Sequence, residues 1–501
     1  MRKSLTAAMA ALAVCALALA AAAQQERPVT TSKDKGDTVK INVSGRIVLD
    51  YVWRSKELAE FTDSFSGPAG GVSDTDDENT FEGYAAVRVD AELSDKVSAV
   101  IEVGTLRVAP VDVSGININF MGTSTGGAVG IREAHIKLGE FLMPELSVMA
   151  GIADWNFDVR GRGNAFAFDP RRSQSITRHF DSGAAQESAL DVMGRANAPA
   201  EQYPVGGVVT YKRQDLQVDL VLLPGVIEQG TPCQDENLYA LDVWYNLDQV
   251  GKGSRVGLIG AIHGTGPVDP VIDSTQNHCH FYTLGGGVVL KNPGNMEGLE
   301  FYGEVYKQFG KVAESVGGPG GDEDIDAKGL AFQIGAEYRF GDQLPLWVGV
   351  NYTYVSGDGD DDPTDTDANK FYSYENVSDL LIVEDMYFGL DIDANYTALK
   401  FSGGAALSVG SGKNNLELSA IVGLCKMQEK VTGAPATESE DNLGTEIDVR
   451  ARWHLSKQAS LTAAVAFLTG SDVMEAAMGG SAVDDAEDKC SLYTVGLDVK
   501  F

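Results

Sequence analysis

The chain has 501 residues, 44% of them hydrophobic, and a formal net charge of −33 from 39 basic and 72 acidic side chains. That excess of acid makes nucleic acid and anionic lipid surfaces poor partners. Five cysteines in such a length exclude a dense disulfide framework, so another form of closure must hold the fold.

Arg2 and Lys3, an apolar run from Leu5 to Ala20 and the small residues Ala21 and Ala23 predict a signal peptide over residues 1–23, cleaved before Gln24. A lipid anchor on Cys15 is the competing expectation, but bulky Val14 precedes that cysteine and cleavage there truncates the apolar run. Residues 24–37 are expected to form a periplasmic N-terminal segment. Residues 38–501 read as one β-domain, because no Pro/Ser-rich linker or composition break divides them. Past the leader no stretch approaches the ~18 consecutive apolar residues of a spanning helix, so any membrane crossing must use strands.

From Thr38 to Arg54, Val39, Ile41, Val43, Ile47, Leu49, Tyr51 and Trp53 alternate with Lys40, Asn42, Ser44, Arg46, Asp50 and Arg54. A period of two is what a wall strand needs when one face meets lipid and the other the lumen. Phe81 to Leu93 repeats it, Ser94-Asp95-Lys96 makes a tight turn, and Val97 to Val103 continues. The signature returns at Leu216–Leu222, Tyr239–Tyr245, Leu330–Phe340 and Ile447–Trp453, and ends with Tyr493, Val495, Leu497, Val499 and Phe501. Between Ser254 and Lys311 it is blurred by Gly285, Gly286 and Gly287. Short connections such as Phe141–Pro144, Gln214–Asp215 and Lys457–Gln458 alternate with long polar ones. The pattern predicts an all-β fold, a transmembrane antiparallel up-and-down β-barrel of about eighteen strands with short periplasmic turns and long external loops. Tyr51, Trp53, Tyr239, Tyr352, Tyr354 and Tyr493 fall near external strand ends, and Tyr245, Tyr338, Phe340, Trp453 and Phe501 near periplasmic ends. Those are the two aromatic belts of a barrel in the bacterial outer membrane.

The stretch Tyr352, Tyr354-Val355-Ser356-Gly357-Asp358, an acidic loop, Phe371, Gly389 and Asn395 resembles the alginate-export family of outer-membrane porins. Fainter similarity covers Arg132-Glu133-Ala134 to Gly151 and Gly206 to Pro224. The resemblance implies an eighteen-stranded channel for small or oligomeric hydrophilic solutes, anionic sugars among them. Ser44-Gly45-Arg46-Ile47-Val48-Leu49-Asp50 is similar to the first strand of phosphate-selective porins, so a phosphate- or anion-selective porin is the alternative. An adhesin or structural barrel presenting acidic loops is a third reading.

Selectivity in a channel lies in inward side chains and in any loop folded into the lumen. Arg46, Arg88, Arg339, Arg450 and Arg452 have lumen parity, beside Asp50, Asp90, Glu92, Glu446, Asp448 and Asp498. Arg46, Arg88, Arg450 and Arg452 come close when the barrel closes and form either a basic ladder or a set neutralised by the neighbouring acids. The longest loop, Asn156 to Tyr203, carries Arg160, Arg162, Arg171, Arg172, Arg178 and His179 and is the expected constriction, because arginine forks suit carboxylates and phosphates. Asp358, Asp360 and Asp362 offer calcium-type oxygens at an external loop but lack the EF-hand spacing. His278-Cys279-His280 with Cys233 is a metal set on paper, and a Cys233–Cys279 disulfide or free thiols compete with it.

There is no His-Glu-x-x-His and no P-loop, and the Gly122 to Gly126 Gly-x-Ser-x-Gly match falls in an external loop, so no enzyme is expected. Passive flow needs no cofactor. Expected partners are outer-membrane lipid and lipopolysaccharide, a hydrophilic solute, and the barrel-assembly machinery through the C-terminal strand. The oligomeric state is left open.

Overall fold

A computed structural model of the chain describes residues 29–31, 39–58, 78–105, 129–153, 205–228, 235–265, 278–314, 325–341, 345–357, 367–369, 371, 379–384, 390, 392, 395–409, 415–432, 439–473 and 489–501. Eighteen long strands make one wall. They are β1 (Val39–Arg54), β2 (Glu78–Ser94), β3 (Val97–Thr105), β4 (Val129–Leu138), β5 (Leu146–Ile152) and β6 (Val205–Arg213). Then follow β7 (Leu216–Glu228), β8 (Asp235–Asn246), β9 (Arg255–Thr265), β10 (His278–Lys291), β11 (Leu299–Glu314) and β12 (Leu330–Arg339). The last six are β13 (Leu346–Val355), β14 (Tyr396–Leu407), β15 (Leu416–Thr432), β16 (Ser439–His454), β17 (Ala459–Thr469) and β18 (Lys489–Lys500). Each pairs antiparallel with its sequence neighbours.

The barrel closes where β1 meets β18, from Arg46↔Lys500 to Arg54↔Leu492. At the seam the Gly45 N–H donates to the Phe501 carbonyl at 2.7 Å, and the Phe501 N–H to the Gly45 carbonyl at 2.9 Å. Gly45 has no Cβ for a reason: the Phe501 ring lies where that atom would be. Since β2 holds one edge of β1 over residues 40–54, the short strand Val29–Thr31, paired with residues 39–41, occupies the other edge below the end of β18. Closure leaves no free sheet edge along the paired wall, which is how a barrel satisfies its backbone in hydrocarbon.

Adjacent residues show which way each face looks. Ile334 is 60% exposed and Gln333 3%; Leu258 is 65% exposed and Ile259 3%. The exposed set, including Val43, Val87, Ile101, Val350, Phe401 and Val449, coats the outside with apolar side chains, and only lipid can satisfy such a belt. Aromatics rim it, with Trp53 4.9 Å from Tyr493 and Phe332 5.0 Å from Tyr354 near the long-loop end, and Tyr338 4.9 Å from Phe340 near the short-turn end.

The glycine-rich stretch that blurs the period has a packing cause. The Tyr306 ring of β11 lies over Gly285 of β10, and the Tyr302 ring lies over Gly335 of β12. An aromatic from the next strand fills the missing side chain, so the strand is intact although its alternation is not.

The inner face is not uniform. Toward the long-loop end its residues are apolar and buried, among them Leu223, Leu238, Ala261, Tyr306, Met427 and Leu492, and they join one continuous apolar cluster. Toward the short turns it is polar and open, as at Lys40, Glu92 and Arg339.

Candidate functional site

The inner wall carries two charged clusters. On β2–β4, inward parity brings together Arg88, Asp90, Glu102 and Glu133. The Arg88 guanidinium bonds Asp90 at 3.0 Å, bonds Glu133, and lies 3.6 Å from Glu102. His135 Nδ1 sits 3.2 Å from the other Glu133 oxygen. Three carboxylates share one guanidinium, and the arginine side chain is 33% exposed to the lumen.

On β14–β16 the arrangement is dry. Lys400, Glu446, Asp448 and Arg450 all point inward, and over them lies part of the connection between β13 and β14. Residues Asp379 to Glu384 enter the barrel, where Leu380, Ile382 and Val383 are fully buried. The segment has no strand partner in the wall, and wall side chains take its peptide groups instead. The Leu381 N–H donates to Asp448 at 3.0 Å, and the N–H groups of Ile382 and Val383 donate to the two Glu446 oxygens at 2.7 and 2.8 Å. Within the segment, the N–H groups of Asp379 and Leu380 donate to Glu384 at 2.8 and 3.1 Å. Lys400 Nζ then bonds Asp379 at 2.8 Å and Glu384 at 2.9 Å, and the Tyr396 hydroxyl donates to Glu384 at 3.0 Å. Arg450 bonds Asp448 at 3.1 Å and donates to the Asp379 carbonyl.

Local sequence explains why the segment stays. Leu380-Leu381-Ile382-Val383 is an apolar quartet that water would not hold, and Gly423 on β15 leaves the space Leu380 fills; a Cβ there would lie 2.7 Å from Leu380. The N–H groups of Leu390 and Ile392 fold back onto the carbonyls of Ile382 and Val383 at 2.6 and 2.9 Å. Asn395, in the left-handed region at φ 56°, ends the connection, accepting from the Glu429 N–H at 2.8 Å.

Of the residues read as inward from parity, most carry a partner. Arg46 bonds Asp498 across the seam at 3.0 Å, and Arg339 bonds Glu337 at 2.6 Å. Asp50 lies beside Gly496 of β18, and Asp90 and Asp448 serve Arg88 and Arg450. Arg452 is exposed between Glu417 and Thr462 of the neighbouring strands. The set is therefore a series of local ion pairs. The expected constriction residues Arg160, Arg162, Arg171, Arg172, Arg178 and His179 lie outside the described residues, as do residues 1–28, Asp358, Asp360, Asp362 and Cys233. Among the described residues no cluster of three metal-ligating side chains occurs.

Sequence reading missed the inserted segment and the partners that hold it, Lys400 and Glu384. The apolar quartet in a polar connection was the available signal. Runs such as Leu220-Val221-Leu222-Leu223 near external strand ends were another, since a strand apolar on both faces is covered on both.

The alginate export family matches residues 274–484, which include β10 to β17 and the inserted segment. No curated protein sequence matches the chain. Among solved structures, Acinetobacter baumannii OccAB1 superposes with a TM-score of 0.53 at 12% identity, covering 95% of this chain and 99% of that one. Pseudomonas aeruginosa OccK11 (OpdR) gives 0.45 at 11% identity over 92% and 96% of the two chains, and Salmonella typhi OmpF 0.40 at 11% over 94% and 99%. The chain is an eighteen-stranded antiparallel β-barrel of the bacterial outer membrane whose residues 274–484 match the alginate export family.

Proposed function

We propose that the protein is a passive channel for small or oligomeric hydrophilic solutes. The observation that carries this reading is an eighteen-stranded closed wall with lipid-facing apolar residues outside and charged side chains inside. Barrels of about 16–18 strands are wide enough to enclose an aqueous passage. The family match favours anionic sugars as the solute class, and the arginines of residues 156–203 are the counter-charge that reading requires. A second reading, a cation-preferring pore, is favoured by the pairing of Arg46, Arg88, Arg339 and Arg450 with carboxylates, which leaves the cluster around Arg88 with more acid than base. In both, flow needs no cofactor.

Planar-bilayer recording across a salt gradient tests the proposal. Discrete conductance steps are expected, and the sign of the reversal potential separates anion from cation preference. Absence of any conductance from folded protein would leave an adhesin or structural barrel. We further propose that the C-terminal strand, ending in Phe501 over Gly45, is the segment that the assembly machinery reads. Deleting Phe501 should then lower the amount of protein in the outer membrane, measured by fractionation and heat resistance in detergent.

A further inference from the structure

We infer that residues Asp379–Glu384, with Leu390 and Ile392, form a displaceable plug in the lumen, and that the lock holding it is electrostatic and centred on Lys400. The inference rests on the channel reading for its consequence and on separate observations for its geometry.

The segment is attached in a way that permits release. β14, β15 and β16 stay paired to one another beneath it, from Tyr396↔Met427 to Leu407↔Leu416 and from Leu416↔Trp453 to Cys425↔Gly444. Lifting the segment breaks no wall hydrogen bond. What it breaks are side-chain contacts: three peptide N–H groups on Glu446 and Asp448, the Lys400 ammonium on Asp379 and Glu384, the Tyr396 hydroxyl on Glu384 and the Arg450 guanidinium on the Asp379 carbonyl.

The charge balance makes Lys400 decisive. Asp379, Glu384, Glu446 and Asp448 bring four carboxylates to a site where Lys400 is 2% exposed and Glu384, Glu446 and Asp448 are at 2% or less, while Asp379 and Arg450 at its margin keep 39% and 30% of their side chains exposed. Lys400 and Arg450 are the cations that face them. With so little water to screen the carboxylates, loss of one cation leaves them repelling across the contact between segment and wall. Two buried atoms at the same place, Asp448 Oδ1 and Arg450 Nε, have no hydrogen-bond partner among the described residues, and water entering on release would supply one.

Cys425 reports the state of the plug. It is a free thiol, 4% exposed, two residues from Gly423 under Leu380 and directly across from Ala398, between the positions of Tyr396 and Lys400. Full-length protein in liposomes would be treated with N-ethylmaleimide and the labelled peptides read by mass spectrometry, alongside single-channel recording. Lys400→Met should raise the labelling rate of Cys425 at least tenfold and raise the open conductance. Gly423→Val, which crowds Leu380 from the wall side, should do the same by a different route, and both variants are scored only if they keep heat-resistant migration. Lys40→Met, in an exposed pair far from the segment, is the control for loss of a lysine. If Cys425 labelling in both variants stays at the wild-type rate, the plug is a fixed part of the wall and the inference is overturned. If labelling rises in both while no form of the protein conducts, the plug stands and the channel reading falls.

Discussion

On β2–β4 Arg88 keeps a third of its side chain in water among three carboxylates, whereas on β14–β16 Lys400 is almost wholly buried against two carboxylates of an inserted segment. Both clusters arise from the same strand parity: around Arg88 the wall carries three acids to one arginine, and around Lys400 it carries two acids to two bases, with two further acids brought by the inserted segment. They differ in what covers them. Uncovered, a wall charge is screened by water and remains able to meet a solute. Covered, the same kind of charge loses hydration that must be replaced by peptide N–H groups and a counter-ion, and it becomes part of the scaffold. Inward parity therefore names the face of a residue without naming its task.

The sharpest way to break this comparison is to remove one carboxylate from each cluster. Glu446→Ala leaves the Ile382 and Val383 N–H groups without acceptors in a dry site, and should destabilise by about 3–5 kcal/mol, the cost typical of removing one partner from a buried charged set. Asp90→Ala removes a partner from a part-exposed pair and should cost about 1 kcal/mol or less. Urea unfolding in liposomes measures both. Equal costs would mean that the coverage seen over β14–β16 does not exist in the folded protein.

The lipid face supplies the next test, since it too depends on depth. Val89→Arg places a charge on the outward face of β2 and should cost about 2–4 kcal/mol if the residue lies near the midplane, against about 1 or less for Tyr354→Arg at the aromatic rim. Similar tolerance at both positions, in the same liposome assay, would argue against the apolar belt as the membrane contact.

Much of this was legible in sequence, and the boundary of legibility is physical. The strand count, the closing strand ending in Phe501 and the inward set around Arg46, Arg88 and Asp448 follow from a period of two, because each strand must solve the same problem of lipid on one side and lumen on the other. Even the blurred stretch at Gly285 hid no missing strand; a neighbouring tyrosine had replaced the side chain. The inserted segment obeys no period. Ile382 meets Glu446 across 64 residues of chain, through a turn whose only local mark is four apolar residues among polar ones. Loop length points to residues 156–203, which lie outside the described residues, and carries no mark of the shorter connection that supplies the segment in the lumen.

The smallest expected effect concerns the seam, where a visible ion pair should matter little. Arg46 bonds Asp498 with two nitrogens, at 3.0 and 3.1 Å, joining the first wall strand to the last, so it invites the reading that charge closes the barrel. The arginine side chain is 50% exposed, however, and water competes for both groups. Nine backbone register pairs from Arg46↔Lys500 to Arg54↔Leu492, with the Gly45–Phe501 hydrogen bonds below them, close the same seam without help. Arg46→Ala should therefore cost about 0.2–1 kcal/mol, less at high salt because exposed pairs are screened within a Debye length of ~10 Å at 0.1 M. Unfolding in liposomes at low and high ionic strength checks both the size and the salt dependence. A loss of several kcal/mol that persists at high salt would mean that the pair is covered as Lys400 is, and that the open part of the inner wall is smaller than the contrast between the two clusters implies.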